Sequence, residues 1–478
     1  MLRFPTSAPP VLSDDALGRD ATGAARLRLR LPWIRSLPLT AVTGLTVSVD
    51  GRPAPVTEVA TPSAVIPAAE LTATAHWWFL QDVLEVRTAR AIASGPHTVA
   101  VSLHLLVPYL PGGPGVPLVL SFAEERTLDV DQPATLAADL RPTRSPGPPP
   151  DAADWTFAAS AFNWTPEILR AARDATDIVH GIVAGGVADV IEIEPGQTWR
   201  GFPAPADAEV AAFAERLRGD GGRVSIVGAC LDDWADPATR RDDEARLAFL
   251  LPQLRIAHVL GAEGVRLPIG QAGQALLDAL LPHLHRLDLT LYEEIQGPQS
   301  PTSPPVRAAV ETVARLGDPR VRLLVDCSML MPSLPPSYLD ALARAGVDPA
   351  LLAHLATAWL DEATPDAVAA ALRDGAVPPA ARTLFMDLLV RFGRSSVADL
   401  ADLLPLTGAF HLKFWDLDDE GGRISAPLRA LGTVLRAQGF RGTLCSEWGG
   451  HGWLADADPA DMTVRHLALA SSALGAPA

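Results

Sequence analysis

Residues 321–326 read Val-Arg-Leu-Leu-Val-Asp, a short apolar run that closes on a carboxylate, Asp326. A run this brief and this continuous suits a strand buried on both faces, as in a parallel sheet covered by helices. The same design recurs outward in both directions. Strands are expected at 156–160, 188–194, 223–229, 264–268, 287–294, 321–326, 409–415 and 442–447, separated by stretches rich in Ala, Leu and Arg. Eight strand-helix units of roughly 30 residues each predict a closed (β/α)8 TIM barrel. The interval from Asp326 to Ala409 is the exception. It predicts a helical insertion at about 329–406, with segments such as 337–345 and 365–374, over the catalytic face where barrel loops vary.

Upstream the texture changes. Arg141-Pro-Thr-Arg-Ser-Pro-Gly-Pro-Pro-Pro150 forbids helix and strand alike and reads as an extended spacer. Before it the hydrophobic period is two: Leu27, Leu29 and Leu31 alternate with arginines, Leu45, Val47 and Val49 lead into Asp50-Gly51, and Val99, Val101, Leu103 and Leu105 alternate likewise. Asp-Gly after such a run marks a hairpin turn. The expected order is therefore an antiparallel β-sandwich at 1–140, a proline-rich linker at 141–153 and the barrel at 154–478.

The chain has 478 residues, 48% of them hydrophobic and 20% charged, which excludes wholesale disorder. Its net charge of −17 opposes nucleic acid and anionic lipid as partners. No apolar run reaches the roughly 18 residues of a membrane span. Cys230, Cys327 and Cys445 are widely spaced with no CxxC pair, and Met1–Asp15 has no apolar signal core, so a cytoplasmic location is expected. Of the 39 basic residues one is lysine, Lys413, and the rest are arginine. A lysine retained against such a bias points to a need for a compact ammonium.

Barrel active sites sit where the strands end. Here strand five ends with Glu293, Glu294 and Gln296, strand six with Asp326, strand seven with His411 and Lys413, and strand eight with Glu447. Three carboxylates and an imidazole converging on one ring would repel one another unless a divalent cation neutralised them. Glu294, Asp326, His411 and Glu447 are therefore the expected metal ligands. Such an oxygen-rich set with one imidazole suits Mn²⁺, Mg²⁺ or Co²⁺, with Zn²⁺ as an alternative. Glu192, Glu194 and Arg266 are expected to be substrate contacts or supporting groups. Lys413 shares the inward face of strand seven with His411, where it would clamp a substrate oxygen. His451 lies in a glycine-rich loop, free to swing toward a substrate. Met329 and Met331 suit an adaptable apolar pocket or the core alike.

Glu192-Ile-Glu194, Glu294-Ile-Gln296, Val325-Asp326-Cys-Ser, His411-Leu-Lys413-Phe and Ser446-Glu447-Trp make the barrel half similar to the xylose isomerase-like superfamily of sugar isomerases and epimerases. Within it, Glu192-Ile-Glu-Pro-Gly-Gln197 and Ser446-Glu447-Trp-Gly-Gly-His451-Gly-Trp resemble the α subunit of bacterial C-glycoside deglycosidases. Val49-Asp-Gly51, Trp77-Trp78, Gly95-Pro-His97-Thr-Val-Ala-Val and Pro108-Tyr109 resemble their β subunit. The resemblance implies both subunits fused, β first.

It further implies a manganese-like ion and a glycoside already oxidised to a ketone at the third sugar carbon. A base removes the acidified C2 proton, the ion holds the enediolate oxygens and the aglycone leaves from C1, by elimination rather than hydrolysis. Relatives carry Glu-x-His where this chain has Gln296, which cannot abstract a proton and is expected to contact substrate. The base is then His451 or another group. Because relatives build α and β subunits into larger particles, a homo-oligomer is expected. A divalent-metal sugar isomerase or 3-epimerase acting on a free sugar is the alternative enzyme, and a noncatalytic carbohydrate-binding protein is the alternative of another class.

Overall fold

The computed structural model describes residues 9–130 and 155–475. The proline-rich linker expected at 141–153 lies outside them. Eight parallel strands close the expected barrel in consecutive order: β1 (Thr156–Ser160), β2 (Val190–Ile193), β3 (Arg223–Gly228), β4 (Gly264–Pro268), β5 (Thr290–Ile295), β6 (Val321–Asp326), β7 (Thr407–Phe414) and β8 (Thr443–Trp448). β1, β4 and β6 occupy the expected residues, and the others shift by one to three positions at an end. The largest shift is at β5, because Leu287 closes the preceding helix, which ends at Asp288 with φ 56°. Strand interiors such as Ile191, Val265, Leu291, Leu323 and Phe410 are fully buried, as a sheet covered on both faces requires.

The N-terminal region forms antiparallel sheets. One orders its strands Leu12–Arg19, Ala24–Arg30, Val83–Ala91, Val56–Thr61 and Ala64–Pro67, and the other Val116–Asp129, Pro96–Gly113, Val42–Val49 and Arg52–Pro53. The expected hairpin turn is present: Val49 pairs with Arg52 across Asp50 (φ 52°) and Gly51 (φ 68°), the positive pair that a tight two-residue turn needs. Leu27, Leu29, Val99, Val101, Leu103 and Leu105 are all buried, and they share one continuous apolar cluster with the barrel walls.

Between β6 and β7 lie four helices, Pro336–Arg344, Pro349–Thr357, Thr364–Arg373 and Arg382–Val390, which pack round a second core containing Tyr338, Phe385, Phe392 and Trp415. Met329 is fully buried, and Met331 belongs to this second core, where its sulfur takes the Trp415 Nε1 hydrogen at 3.2 Å. The N-terminal region is fastened to the barrel by buried contacts. Trp78 is buried with its indole donating to the Asp82 carbonyl, whereas Trp77 packs on Phe202 and Phe249 of the barrel, at ring distances of 5.0 and 6.2 Å. Arg35 reaches across to Asp232, which lies beyond β3, at 2.9 Å, with both groups buried. Among the described residues no helix is long and apolar enough to cross a membrane.

Candidate metal centre and substrate cavity

β5 to β8 deliver Glu294, Asp326, His411 and Glu447 to one point, with one ligand atom from each lying within 4.8 Å of the others. All four are buried. His411 is the hub: its Nδ1 lies 2.8 Å from Glu294 Oε1, 2.6 Å from Glu447 Oε2 and 4.0 Å from Asp326 Oδ2. Its other nitrogen, Nε2, faces Glu192 Oε2 at 2.9 Å. An ionised carboxylate only accepts, so Nε2 carries a hydrogen, and Nδ1 is the nitrogen turned toward the three carboxylates, able to offer a lone pair to a cation that displaces its proton. Asp326 Oδ1 is used up by the Ser328 amide at 2.7 Å, which leaves Oδ2 aimed inward.

Electrostatics at this point are unbalanced without a cation. Burial alone would depress the His411 pKa, yet Glu447, Glu192 and Glu294 hold it well above the usual imidazole value. Burial pushes the Asp326 carboxyl up to about 6. Burial works the same way on Glu447, but Lys413 and His411 outweigh it and hold that carboxyl well below its ordinary range. His411 Nδ1, Asp326 Oδ2 and Glu447 Oε2 are buried with no hydrogen-bond partner, three orphaned polar atoms at one spot. A hard divalent ion would satisfy all of them, so the residues fit such a group. Glu192, His411 and Cys445 form a second close group. Burial and then Glu192 drive that thiol well above its ordinary value, which keeps it protonated and a poor ligand.

The cluster opens on a cavity of about 700 Å³ lined by Glu194, Arg266, Glu294, Gln296, Lys413 and Glu447, among others. Arg266 bridges Glu294 at 2.7 Å and Glu194 at 3.0 Å. Gly228 on β3 lets that bridge pass, since a Cβ there would lie 2.9 Å from both Arg266 Nη2 and Glu194 Cγ. Burial raises the Glu194 pKa, and Arg266 only partly offsets it. Lys413 Nζ donates to Glu447 Oε1 at 2.7 Å and lies over the rings of Phe162 and Trp415.

Of the two places open to Glu192, the structure has the supporting one: it stands behind His411, 3% exposed, and not on the substrate wall. His451 is not on a swinging loop: it lies in a short 3₁₀ turn, 5% exposed, against Phe162 and Trp448. That turn is clamped because Gly449 N donates to the Phe414 carbonyl, and at Gly450 a Cβ would meet the Trp415 carbonyl. Burial, then Arg391 and Lys413, push the His451 pKa down to about 3, so its ring is neutral. His285 pairs with Asp318 and His354 meets Thr364, both away from the cavity.

Two cavity residues, Arg35 and Arg391, have no signal in the sequence motifs, and a third, Tyr109, stands in one only through the N-terminal resemblance. Arg35 and Tyr109 come from the N-terminal region, with the guanidinium 4.2 Å above the phenol ring, and Arg391 from the insertion donates to the Gly449 carbonyl. Each reaches the site across an element boundary, which no local pattern encodes.

No family model matches this chain. The chain is 29% identical over 321 residues to the 3'-dehydrocarminate deglycosidase alpha subunit of a Microbacterium species, covering 64% of this chain and 92% of that one. Over 126 residues the chain is 32% identical to the beta subunit of the same enzyme, covering 26% of this chain and 94% of the subunit. A C-glycoside deglycosidase alpha subunit from Arthrobacter globiformis is 26% identical over 325 residues, 66% of this chain and 89% of its own. Among solved structures, a D-psicose 3-epimerase superposes with a TM-score of 0.39 at 14% identity, over 67% of this chain and 100% of that one.

Proposed function

Since the chain belongs to the C-glycoside deglycosidase family, with counterparts of both subunits in one polypeptide, we propose that this sugar-acting enzyme is a metal-dependent lyase that frees the aglycone from a 3-oxo C- or O-glycoside. The observation that carries this reading is the convergence of three unpartnered buried ligand atoms on His411, Asp326 and Glu447 at the edge of a substrate-sized cavity. The two N-terminal sheets, whose buried faces enter one core, are read as a β-sandwich that walls the cavity.

Glu294, Asp326, His411 and Glu447 would hold the ion, with Mn²⁺ the best match to three carboxylates and one imidazole. When bound, it supplies positive charge where negative charge develops on the sugar oxygens. Lys413 binds a sugar oxygen from the β7 side, held by Glu447 and unable to wander. Gln296 and Arg266 orient the sugar from β5 and β4.

With His451 enclosed, Glu194 is the carboxylate on the cavity wall whose raised pKa suits it to take the C2 proton. The C2–H electron pair forms an enolate with C3. Its collapse restores the C3 carbonyl, makes the C1–C2 double bond and breaks the bond from C1 to the aglycone, which takes up a proton. His451, being neutral, adds no repulsion beside Lys413.

The test is incubation of the purified protein with a 3-oxo C-glucoside and, separately, with free ketoses, followed by chromatography. Aglycone release supports the lyase. Interconversion of free sugars without release overturns it in favour of an isomerase or epimerase.

A further inference from the structure

The two neighbours of β8 hold Glu447 by different means. On the β7 side the backbone ladder runs past it, pairing Lys413 with Glu447 and Phe414 with Trp448. On the β1 side the ladder stops short, its last pair being Ala159 with Ser446. Beyond Ser160 the chain leaves the sheet for a 3₁₀ turn, Ala161–Trp164, which starts where the Ser160 hydroxyl accepts from the Phe162 amide at 3.3 Å. The buried Trp448 amide must then find its acceptor outside the sheet.

Asn163 continues the ladder with its side chain. Its Oδ1 accepts from the Trp448 amide at 2.6 Å and its Nδ2 donates to the Ser446 carbonyl at 3.3 Å, so one amide group spans Glu447 as a paired strand residue would. Nδ2 also donates to the Thr463 hydroxyl at 2.9 Å, and that hydroxyl donates onward to the Pro459 carbonyl at 2.6 Å. Asn163 and Thr463 are both fully buried, where such bonds are strongest. The preceding residue of the same turn faces the cavity: the Phe162 ring lies 5.2 Å from the Lys413 ammonium, which donates to Glu447 at 2.7 Å. Adjacent residues of one turn therefore hold the two ends of one ion pair.

We infer that Asn163 is a positioning residue for the Glu447–Lys413 pair: through the backbone on either side of Glu447 it fixes where that carboxylate stands, and with it the ammonium. Glu447 has little latitude, since Oε1 takes the Lys413 hydrogen while Oε2 points at His411 Nδ1, 2.6 Å away. A small change in the path of β8 would disturb both contacts at once. The effect on metal binding rests on the reading of Glu447 as a ligand. Ser446 supplies the contrast: its hydroxyl meets His466 Nδ1 at 2.8 Å, a buried bond of the same strand that leaves the Asn163 bracket untouched.

Asn163→Ala removes the bracket, Thr463→Val loosens it with little change of shape, and Ser446→Ala gives up a bond of the same strand while keeping it. Because Lys413 is the one lysine of the chain, protein grown on lysine labelled with carbon-13 at Cε gives a single side-chain resonance, which reports on the ion pair in the metal-free state. Calorimetric titration with Mn²⁺ gives the affinity. In Asn163→Ala the lysine resonance is expected to move and Mn²⁺ binding to weaken by about tenfold or more, the usual cost of losing a group that orients a metal ligand. Thr463→Val should shift both in the same direction by less, and Ser446→Ala should match the wild type in both. Wild-type resonance and affinity in Asn163→Ala overturn the inference, as does an equal change in Ser446→Ala. Should Asn163→Ala fail to fold, an unaltered Thr463→Val overturns it instead. A resonance that moves in Asn163→Ala alone, with no divalent ion taken up by the wild type, upholds the positioning role and overturns the metal reading.

Discussion

His411 Nε2 lies 2.9 Å from Glu192 Oε2, and that single contact decides which nitrogen of the ring faces Glu294, Asp326 and Glu447. Without an acceptor at Glu192 the hydrogen is free to move to Nδ1, where it would occupy the lone pair a cation needs. Replacing Glu192 by Leu is expected to weaken Mn²⁺ binding by about 10- to 100-fold, the usual cost of losing such a supporting partner. Glu192→Gln retains an acceptor and is expected to lose far less. Calorimetric titration of the metal-free protein reads both values, and equal losses in the two variants would mean that the contact is merely structural.

Removal of divalent ions by a chelator is expected to abolish aglycone release, with Mn²⁺ restoring it. Glu447→Gln should cut kcat by about a thousandfold or more, a loss comparable with that of a charge-stabilising group in other enzymes. The fold should persist, because Gln fills the same space and still accepts the Lys413 hydrogen bond. Full activity of either preparation would remove the metal from the mechanism.

Lys413 has little room. Its ammonium sits 2.7 Å from Glu447 and about equally far from two rings, Phe162 at 5.2 Å and Trp415 at 5.7 Å. An arginine is longer and planar, and its fork would push into those rings or displace Glu447. Lys413→Arg is expected to lower kcat/KM by at least tenfold, with circular dichroism unchanged. An unimpaired variant would mean that any cation serves.

The barrel was legible because its chemistry is local. Each strand is one short apolar run, and β5 to β8 close on or just beyond Glu294, Asp326, His411 and Glu447, so strand order alone brings those residues together. What escaped was orientation and long reach. The sequence groups Glu192 with Glu194 as substrate contacts or supporting groups, yet at the barrel centre Glu192 meets His411 while Glu194, past the strand end, meets Arg266. Two glycines beside His451 suggested a mobile loop, whereas the absence of a Cβ at Gly450 instead allows the backbone to press onto Trp415. Arg35 and Asp232 lie 197 positions apart, and nothing in either neighbourhood announces the other.

Glu293, one residue from the cluster but facing away from it, offers a readout of stability. Burial pushes its carboxyl up to about 7, against which the Gly270 amide at 3.1 Å is a weak counterweight. A carboxyl raised in the folded state favours folding most below its unfolded pKa, and that contribution is lost as pH climbs through about 7. At about 1.36 kcal/mol per pKa unit the loss is roughly 3 kcal/mol at most. Glu293→Gln is never charged, so its thermal midpoint should gain on the wild type between pH 5 and pH 8.5, on the order of 4 °C. A gap independent of pH would show that the carboxyl is ionised in the folded protein throughout.

The Arg35–Asp232 pair joins the N-terminal region to the barrel, with side chains 7% and 0% exposed. Taking away one partner leaves a buried charge uncompensated, which costs about 3 to 5 kcal/mol, whereas removing both costs much less. Arg35→Met should therefore destabilise the protein strongly, and the double variant Arg35→Met with Asp232→Leu should recover much of the loss in denaturant melts. Activity separates fastening from binding. If Arg35 serves only to fasten the two parts, the double variant regains turnover along with stability. If its place in the cavity wall also matters, stability returns while KM for the 3-oxo glycoside stays raised. A double variant as unstable as Arg35→Met would show that the ion pair is not what holds this contact.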